Sequence, residues 1–460
     1  MTPTIRWPAQ EADVLPLKEP LVFSPSGKSA NNRLMKTAMT EGLGTWDPEV
    51  LEARGIPTEA AIELYRRWGE GENTFGIIIT GNIDIEYDQV DAIGDFIVTL
   101  NDRPEGLRFE RFKAMAEAGK ANGALMVGQV THPGNQLMAH IRKDTISASD
   151  IQLGPFGEFY ATPRAATKED IDHVVAGFVH VAEYLAVAGF DGMQLHGAHG
   201  YLLAQFLSRS MNKRTDEYGG TLRKRLQIII DIGRGIRNSP LIPKDFVFGI
   251  KLNSVEFQDG GMTADEAREI VATFETEVDF DFIELSGGTW ANFDETMTWE
   301  RESTRKRESF FLEFADHIVP ALGSLPRKTK VFVTGGLRSA AAFVDALNTV
   351  DGVGFARPAA QEPRFANDIL SGRIQSAIMP IKELQTVAMG VPMAATQLGQ
   401  IARGEEPFNA SDEKEGKAYI ADFNKWYDAA FANLHKLDFQ GYVELTLPQR
   451  PYGTEHTVAA

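Results

Sequence analysis

The sequence predicts a (β/α)8 TIM barrel over residues 1–380, followed by a C-terminal helical extension over residues 381–460. Three observations lead there. Eight short β-leaning runs are continuously apolar, as parallel strands covered on both faces must be. Helix-patterned segments separate most of them, the order that closes a barrel. No G-x-G-x-x-G follows an early strand, so the rival doubly wound dinucleotide-binding sheet lacks its main support.

In chain order the runs are residues 33–39, 75–80, 124–130, 190–195, 247–252, 282–285, 330–334 and 352–355. The clearest helix follows Thr167-Lys-Glu-Asp170. There Ile171, Val174, Val175, Phe178, Val181, Ala182 and Leu185 recur at three- and four-residue steps behind a capping box. Thr263-Ala-Asp-Glu266 repeats that signal ahead of Ile270 and Phe274. In the extension a helical pattern covers residues 419–434, and we expect this segment to pack on the barrel or across a homodimer.

Composition narrows the function. The chain has 460 residues, 43% hydrophobic and 24% charged, the balance of a soluble globular protein. A net charge of −18 argues against nucleic acid or an anionic membrane as partner. Without cysteine there are no disulfides, no thiol catalysis and no cysteine-held iron–sulfur cluster. The first residues lack the apolar core of a signal peptide, and no run reaches membrane-spanning length. The expected address is cytoplasmic.

In a barrel, chemistry gathers at the C-terminal ends of strands. Thr40 follows the first strand, Gln129 and His132 close the third, and His196 and His199 follow the fourth. Lys251 closes the fifth, Ser286-Gly-Gly-Thr289 the sixth, Gly335-Gly336 the seventh, and Phe355-Ala356-Arg357 the eighth. The block Gln194-Leu-His196-Gly-Ala-His199-Gly-Tyr201 is the most telling. Two neutral imidazoles can donate hydrogen bonds to one oxygen while a phenol delivers a proton. Those tools suit polarising a carbonyl or nitro group as a neighbouring carbon is protonated. A His-x-x-His pair can also bind metal, but no HExxH pattern or cysteine completes a zinc set, and packing is the other plain alternative. Gly335-Gly336 lets backbone approach an anion, which Arg357 can neutralise; alone, such a pair is more often just a turn.

Taken together, these motifs resemble the old yellow enzyme family, the FMN-dependent ene-reductases, over about residues 23–370. The carriers are Asn32-Arg33 through Thr40, Gln129-Val-Thr-His132-Pro-Gly134-Asn-Gln136, and His196-Gly-Ala-His199-Gly-Tyr201 through Ser208. They continue with Asn212-Lys-Arg214-Thr-Asp216-Glu-Tyr218-Gly-Gly220, Thr334-Gly335-Gly336-Leu-Arg338 and Ala356-Arg357. The resemblance implies FMN across the barrel mouth, with NADH or NADPH as hydride donor. An activated alkene (an enone, enal, maleimide or nitroalkene) would take hydride from flavin N5. It implies that His196 and His199 grip the substrate oxygen and that Tyr201 protonates the α-carbon. Gln129 would meet the pyrimidine edge of the flavin, Thr40 its C4 oxygen, and Lys251, where relatives carry arginine, N1 and the C2 oxygen. Ala38, Met39 and Gly81 would join the cofactor contacts, with Gly335, Gly336, Ala356 and Arg357 at the phosphate end. Ala38 stands where relatives commonly have proline, and His132-Pro-Gly-Asn135 replaces the usual His-Ala-Gly-Arg. Two other readings remain at this point: a flavin-binding sensor or carrier without efficient turnover, and an FMN-free isomerase or lyase using His199 as base. The segments after strands one and six, residues 49–65 and 289–299, are candidate pocket walls.

Overall fold

The computed structural model describes residues 4–154, 159–253, 264–286, 327–437, 441 and 443–454. Eight parallel strands close into a barrel. They are β1 (Leu34–Lys36), β2 (Ile77–Asp84), β3 (Leu125–Thr131), β4 (Gly192–Gly197), β5 (Val247–Asn253), β6 (Phe282–Ser286), β7 (Lys330–Thr334) and β8 (Gly352–Phe355). Each pairs with its neighbour in sequence, and β8 and β2 both pair with β1, which seals the ring. All eight predicted strands are present. Strand β2 runs four residues past its predicted end, and its register with β3 shifts between Ile79 and Asn82, a bulge that spans Thr80 and Gly81.

The lower barrel is plugged by an apolar cluster. Met35, Ile77, Ile79, Leu125, Val127, Val247, Phe282 and Phe332 meet Leu21, Phe23 and Ala30 of a short antiparallel hairpin, Leu21–Val22 with Ser29–Ala30. Phe282 lies 6.1 Å from Phe23 and 5.9 Å from Phe332, ring centre to centre. A side chain at Gly249 would overlap the Phe282 ring, so glycine there makes the room. Filling the lower half leaves polar chemistry to the upper rim.

Outside the barrel run α1 (Glu59–Trp68), α2 (Gly106–Gly119), α3 (Lys168–Val187), α4 (Gln227–Asn238), α5 (Ala264–Glu277) and α6 (Ala340–Ala346). Helix α3 carries the predicted capping box: the Thr167 side chain accepts from the Asp170 N–H while the Asp170 carboxylate accepts from the Thr167 N–H. Thr263, the other predicted cap, lies outside the described residues. Residues 59–65 do not wall a pocket; they form most of α1, whose Ala61, Leu64 and Tyr65 are buried in the main core. Their apolar spacing serves that core.

Beyond the barrel, α7 (Val387–Ala402) packs on α1, with Ala394, Leu398 and Ile401 joining the main core. Helix α8 (Glu413–Asn433) sits on a smaller core of Ile381, Leu384, Met393, Phe408 and Tyr419. The extension then returns to the rim at the C-terminal ends of the strands, where Trp46 Nε1 donates to the Leu437 carbonyl at 2.7 Å and Phe431 meets Phe159 at 5.9 Å. No helix among the described residues is long and apolar enough to cross a membrane.

Candidate active site

Strand β4 builds the centre. Side chains alternate along a strand, so Gln194 and His196 share one face. In register, Gln129 of β3 lies beside Gln194, and Lys251 of β5 lies between His196 and Glu284 of β6. The predicted residues from three strands therefore meet in two adjacent rows, Gln129 with Gln194 in one and His196 with Lys251 in the next.

After β4 the chain turns sharply. His199 has φ +57° and Gly200 φ +83°. The left-handed region is unusual for a side chain other than glycine, so something must hold it. The His199 N–H donates to Asn253 Oδ1 at 3.0 Å, and the His199 carbonyl accepts from Gln136 Nε2 at 2.9 Å. Gln205 Nε2 donates to the Gly200 carbonyl at 2.7 Å and to the Pro133 carbonyl at 3.1 Å. Gln136 and Gln205 thus stitch the loops after β3 and β4 together, which explains why both stand in the motifs. Arg214 and Asp216 pair with each other, and Arg214 also donates to the Ala148 and Ala166 carbonyls, a structural clamp beside the site.

The turn brings three rings together. His196 lies 4.5 Å from Tyr201 and 5.1 Å from His199, centre to centre. His196 Nδ1 accepts from the Ala198 N–H at 3.3 Å, which puts the imidazole proton on Nε2. His199 Nε2 is 3.1 Å from Ser286 Oγ. Burial drives both pKa values down. His196 falls well below the usual histidine value, helped by His199 and Lys251, and His199 falls to about 3, helped by Lys251. Both rings are neutral donors at neutral pH. Tyr201 is buried, with Asp91 as its hydrogen-bonding neighbour; burial and that carboxylate hold its pKa well above 10. Asp91 in turn accepts from Asn82 Nδ2 at 3.1 Å.

Beneath the rings lies a polar floor. Lys251 Nζ is 3.1 Å from Glu284 Oε1 and 3.2 Å from Thr37 Oγ1. Gln194 Nε2 donates to Glu284 Oε2 at 2.8 Å, and Gln129 Nε2 donates to Gln194 Oε1 at 2.6 Å. Thr37 also donates to Glu284. Burial pushes the Glu284 carboxyl up, but Lys251 and these donors outweigh it and hold the group below its ordinary value. Sequence reasoning missed Glu284 and the role of Gln194. The available signal was a carboxylate inside an apolar buried strand, which must be paired to be tolerated.

These residues suit a flavin. The floor offers amide and ammonium groups of the kind a pyrimidine edge requires. Ala38, Met39 and Thr40 keep partial exposure at the end of β1, and Gly81 lies against Met39 and Glu41, where a side chain would overlap both. At the far side Gly335 (φ +122°) and Gly336 (φ +75°) turn the chain at the end of β7 through backbone that favours glycine. Ala356 and Arg357 start the short helix at the end of β8. Arg357 and Arg338 line a cavity of about 30 Å³, and the Arg357 guanidinium reaches Gly390 of α7. Residues 287–299, predicted to close the sixth strand and wall the pocket, lie outside the described residues.

Comparison with known proteins identifies the family and supports the fold. The profile of the NADH:flavin oxidoreductase / NADH oxidase family matches residues 17–375. The NADH-dependent flavin oxidoreductase nadA of Aspergillus parasiticus is 42% identical over 419 residues, covering 91% of this chain and 92% of that protein. Among solved structures, a 2-naphthoyl-CoA reductase superposes with a TM-score of 0.69 at 23% identity, covering 79% of this chain and 54% of that one. The old yellow enzyme homologue from Zymomonas mobilis gives 0.60 at 20% identity, covering 78% and 94%. At such identity the structures speak for the fold alone; the family rests on the sequence matches. This chain is a member of the NADH:flavin oxidoreductase / NADH oxidase family, an FMN-dependent oxidoreductase.

Proposed function

We propose that this enzyme reduces the C=C bond of activated alkenes, α,β-unsaturated carbonyls and nitroalkenes, at the expense of NADH. The observation that carries it is that His196 packs against both His199 and Tyr201, two imidazoles held neutral and a phenol held protonated, with Lys251 beside His196 across β4 and β5. Bound FMN supplies hydride transfer between nicotinamide and alkene. The chain's own residues do the rest.

His196 donates Nε2–H to the substrate's carbonyl or nitro oxygen, and His199 supports it from the other side. Because both donors are neutral and fixed before substrate arrives, they favour the charge that develops on that oxygen without reorganising. Tyr201, kept protonated by burial and Asp91, gives its proton to the α-carbon. Gln129, Lys251, Thr40, Ala38, Met39 and Gly81 hold the flavin ring, and Gly335, Gly336, Ala356 and Arg357 hold its phosphate. NADH is the preferred donor in view of the name of the Aspergillus relative.

A carrier without turnover has no use for a proton donor set beside two oxygen-binding imidazoles. Tyr201→Phe tests the assignment. Alkene reduction should slow at least a hundredfold, the scale of general acid catalysis, while flavin reduction by NADH changes little. Equal slowing of both half-reactions would remove Tyr201 as proton donor. Nitroalkenes should tolerate the change, because a nitronate can take its proton from water.

A further inference from the structure

We propose that Glu284 is a positioning residue which fixes, through Gln194, the atom of the Gln129 amide that faces the cofactor. The inference rests on the reading of Gln129 as the residue at the pyrimidine edge.

Three buried side chains form a directed line. Glu284 and Gln194 are fully buried, and Gln129 is 2% exposed. An ionised carboxylate can only accept hydrogen bonds. Lys251, Thr37 and Gln194 all supply donors to Glu284. The Gln194 amide must therefore turn its NH2 toward Glu284, which leaves only its oxygen for Gln129. That oxygen takes the Gln129 Nε2–H at 2.6 Å. With its NH2 thus committed, Gln129 is left with Oε1, which has no protein donor among the described residues, as its acceptor toward the barrel mouth. One buried negative charge sets the orientation of two amides whose rotation would otherwise be free.

The consequence is chemical. The flavin pyrimidine edge carries an N3–H donor, and an amide oxygen facing it holds that proton in place. An amide NH2 in the same position would instead stabilise the deprotonated N3. Freed from Gln194, the Gln129 amide can rotate and donate, so the polarity of this contact depends on a residue that never touches the cofactor.

The test is the alkaline ionisation of N3 in the holoenzyme, followed by the flavin absorption spectrum during a pH titration. In the native enzyme N3 should ionise at higher pH than in free FMN. Gln194→Met keeps the Lys251–Glu284 pair but breaks the line, and should make N3 about tenfold more acidic, one unit lower in pKa. Gln194→Glu should restore the native value, since a carboxyl shared with Glu284 still accepts from Gln129. An unchanged N3 ionisation in Gln194→Met overturns the inference, as does a failure of Gln194→Glu to restore it. Gln129→Leu separates the two readings. If Gln129→Leu shifts N3 and Gln194→Met does not, the positioning role falls and the Gln129 contact stands. If Gln129→Leu leaves N3 unmoved, Gln129 does not meet the flavin edge, and both fall.

Discussion

Replacing Lys251 by methionine would strip the cation from a carboxylate that has no access to water. The two charges are 3.1 Å apart, with Lys251 4% exposed and Glu284 fully buried. At an effective dielectric of about 20 their attraction is about 5 kcal/mol. Removing one partner of a buried pair costs about 3–5 kcal/mol. Thr37 and Gln194 still donate to Glu284 in the variant, so the loss should lie near about 3 kcal/mol at neutral pH. The pH dependence makes the test specific. In the native protein the Glu284 pKa is depressed, so its contribution to stability is present above the unfolded value and lost as pH falls through the folded one. In Lys251→Met burial acts unopposed and raises the folded pKa. The deficit is then largest at neutral pH and shrinks by about 1.4 kcal/mol per unit as Glu284 takes up its proton. Urea midpoints followed by tryptophan fluorescence between about pH 8 and about pH 5 should converge for variant and native protein. A deficit of constant size across that range, or none at all, would refute a charge pair between these side chains.

Other substitutions probe the remaining parts. Gly81→Ala places a methyl group on Met39 O and the Glu41 carboxylate, which Tyr65 and the Gly81 N–H hold in place; we expect about 1–3 kcal/mol of destabilisation and a lower flavin-to-protein ratio by absorbance. Affinity for phenol, a mimic of the substrate oxygen, should stay flat from about pH 8 to about pH 5, because His199 with a pKa of about 3 and His196, also held well below the usual histidine value by burial, remain neutral throughout. A transition near the ordinary histidine value of about 6.5 in that binding curve would contradict the neutral pair. Asp91→Asn removes a negative charge beside the phenol and should lower the Tyr201 pKa, so that enone reduction declines at lower pH on its alkaline side than in the native enzyme. His196→Ala should weaken phenol binding while flavin stays bound, as read by absorbance titration.

Much of the barrel was legible because parallel strands buried on both faces leave an unbroken apolar record, as in Val247 to Leu252 and Lys330 to Thr334. His196, His199 and Tyr201 were legible because they crowd into one turn. What escaped depends on register across the sheet. Lys251 and Glu284 are 33 positions apart, and only the pairing of β5 with β6 makes them partners. The expectation of Lys251 as a lone cation beside the flavin therefore lacked its counter-ion. Asp91 sits in a loop after β2 with no periodicity to mark it, and its proximity to Tyr201 is a product of chain closure. Residues 59–65 were misread as pocket wall because an amphipathic outer helix and a loop lining a mouth both mix apolar and charged residues.

The most direct test of alkene reduction is the visible spectrum of the purified protein under anaerobic conditions, first with NADH and then with cyclohexenone. The account predicts a yellow protein that bleaches with NADH and regains its colour when the enone is added. A protein that stays colourless after FMN is supplied would contradict the flavin site. One that bleaches and then fails to regain colour with enones, maleimides and nitroalkenes alike would contradict the proposed reaction.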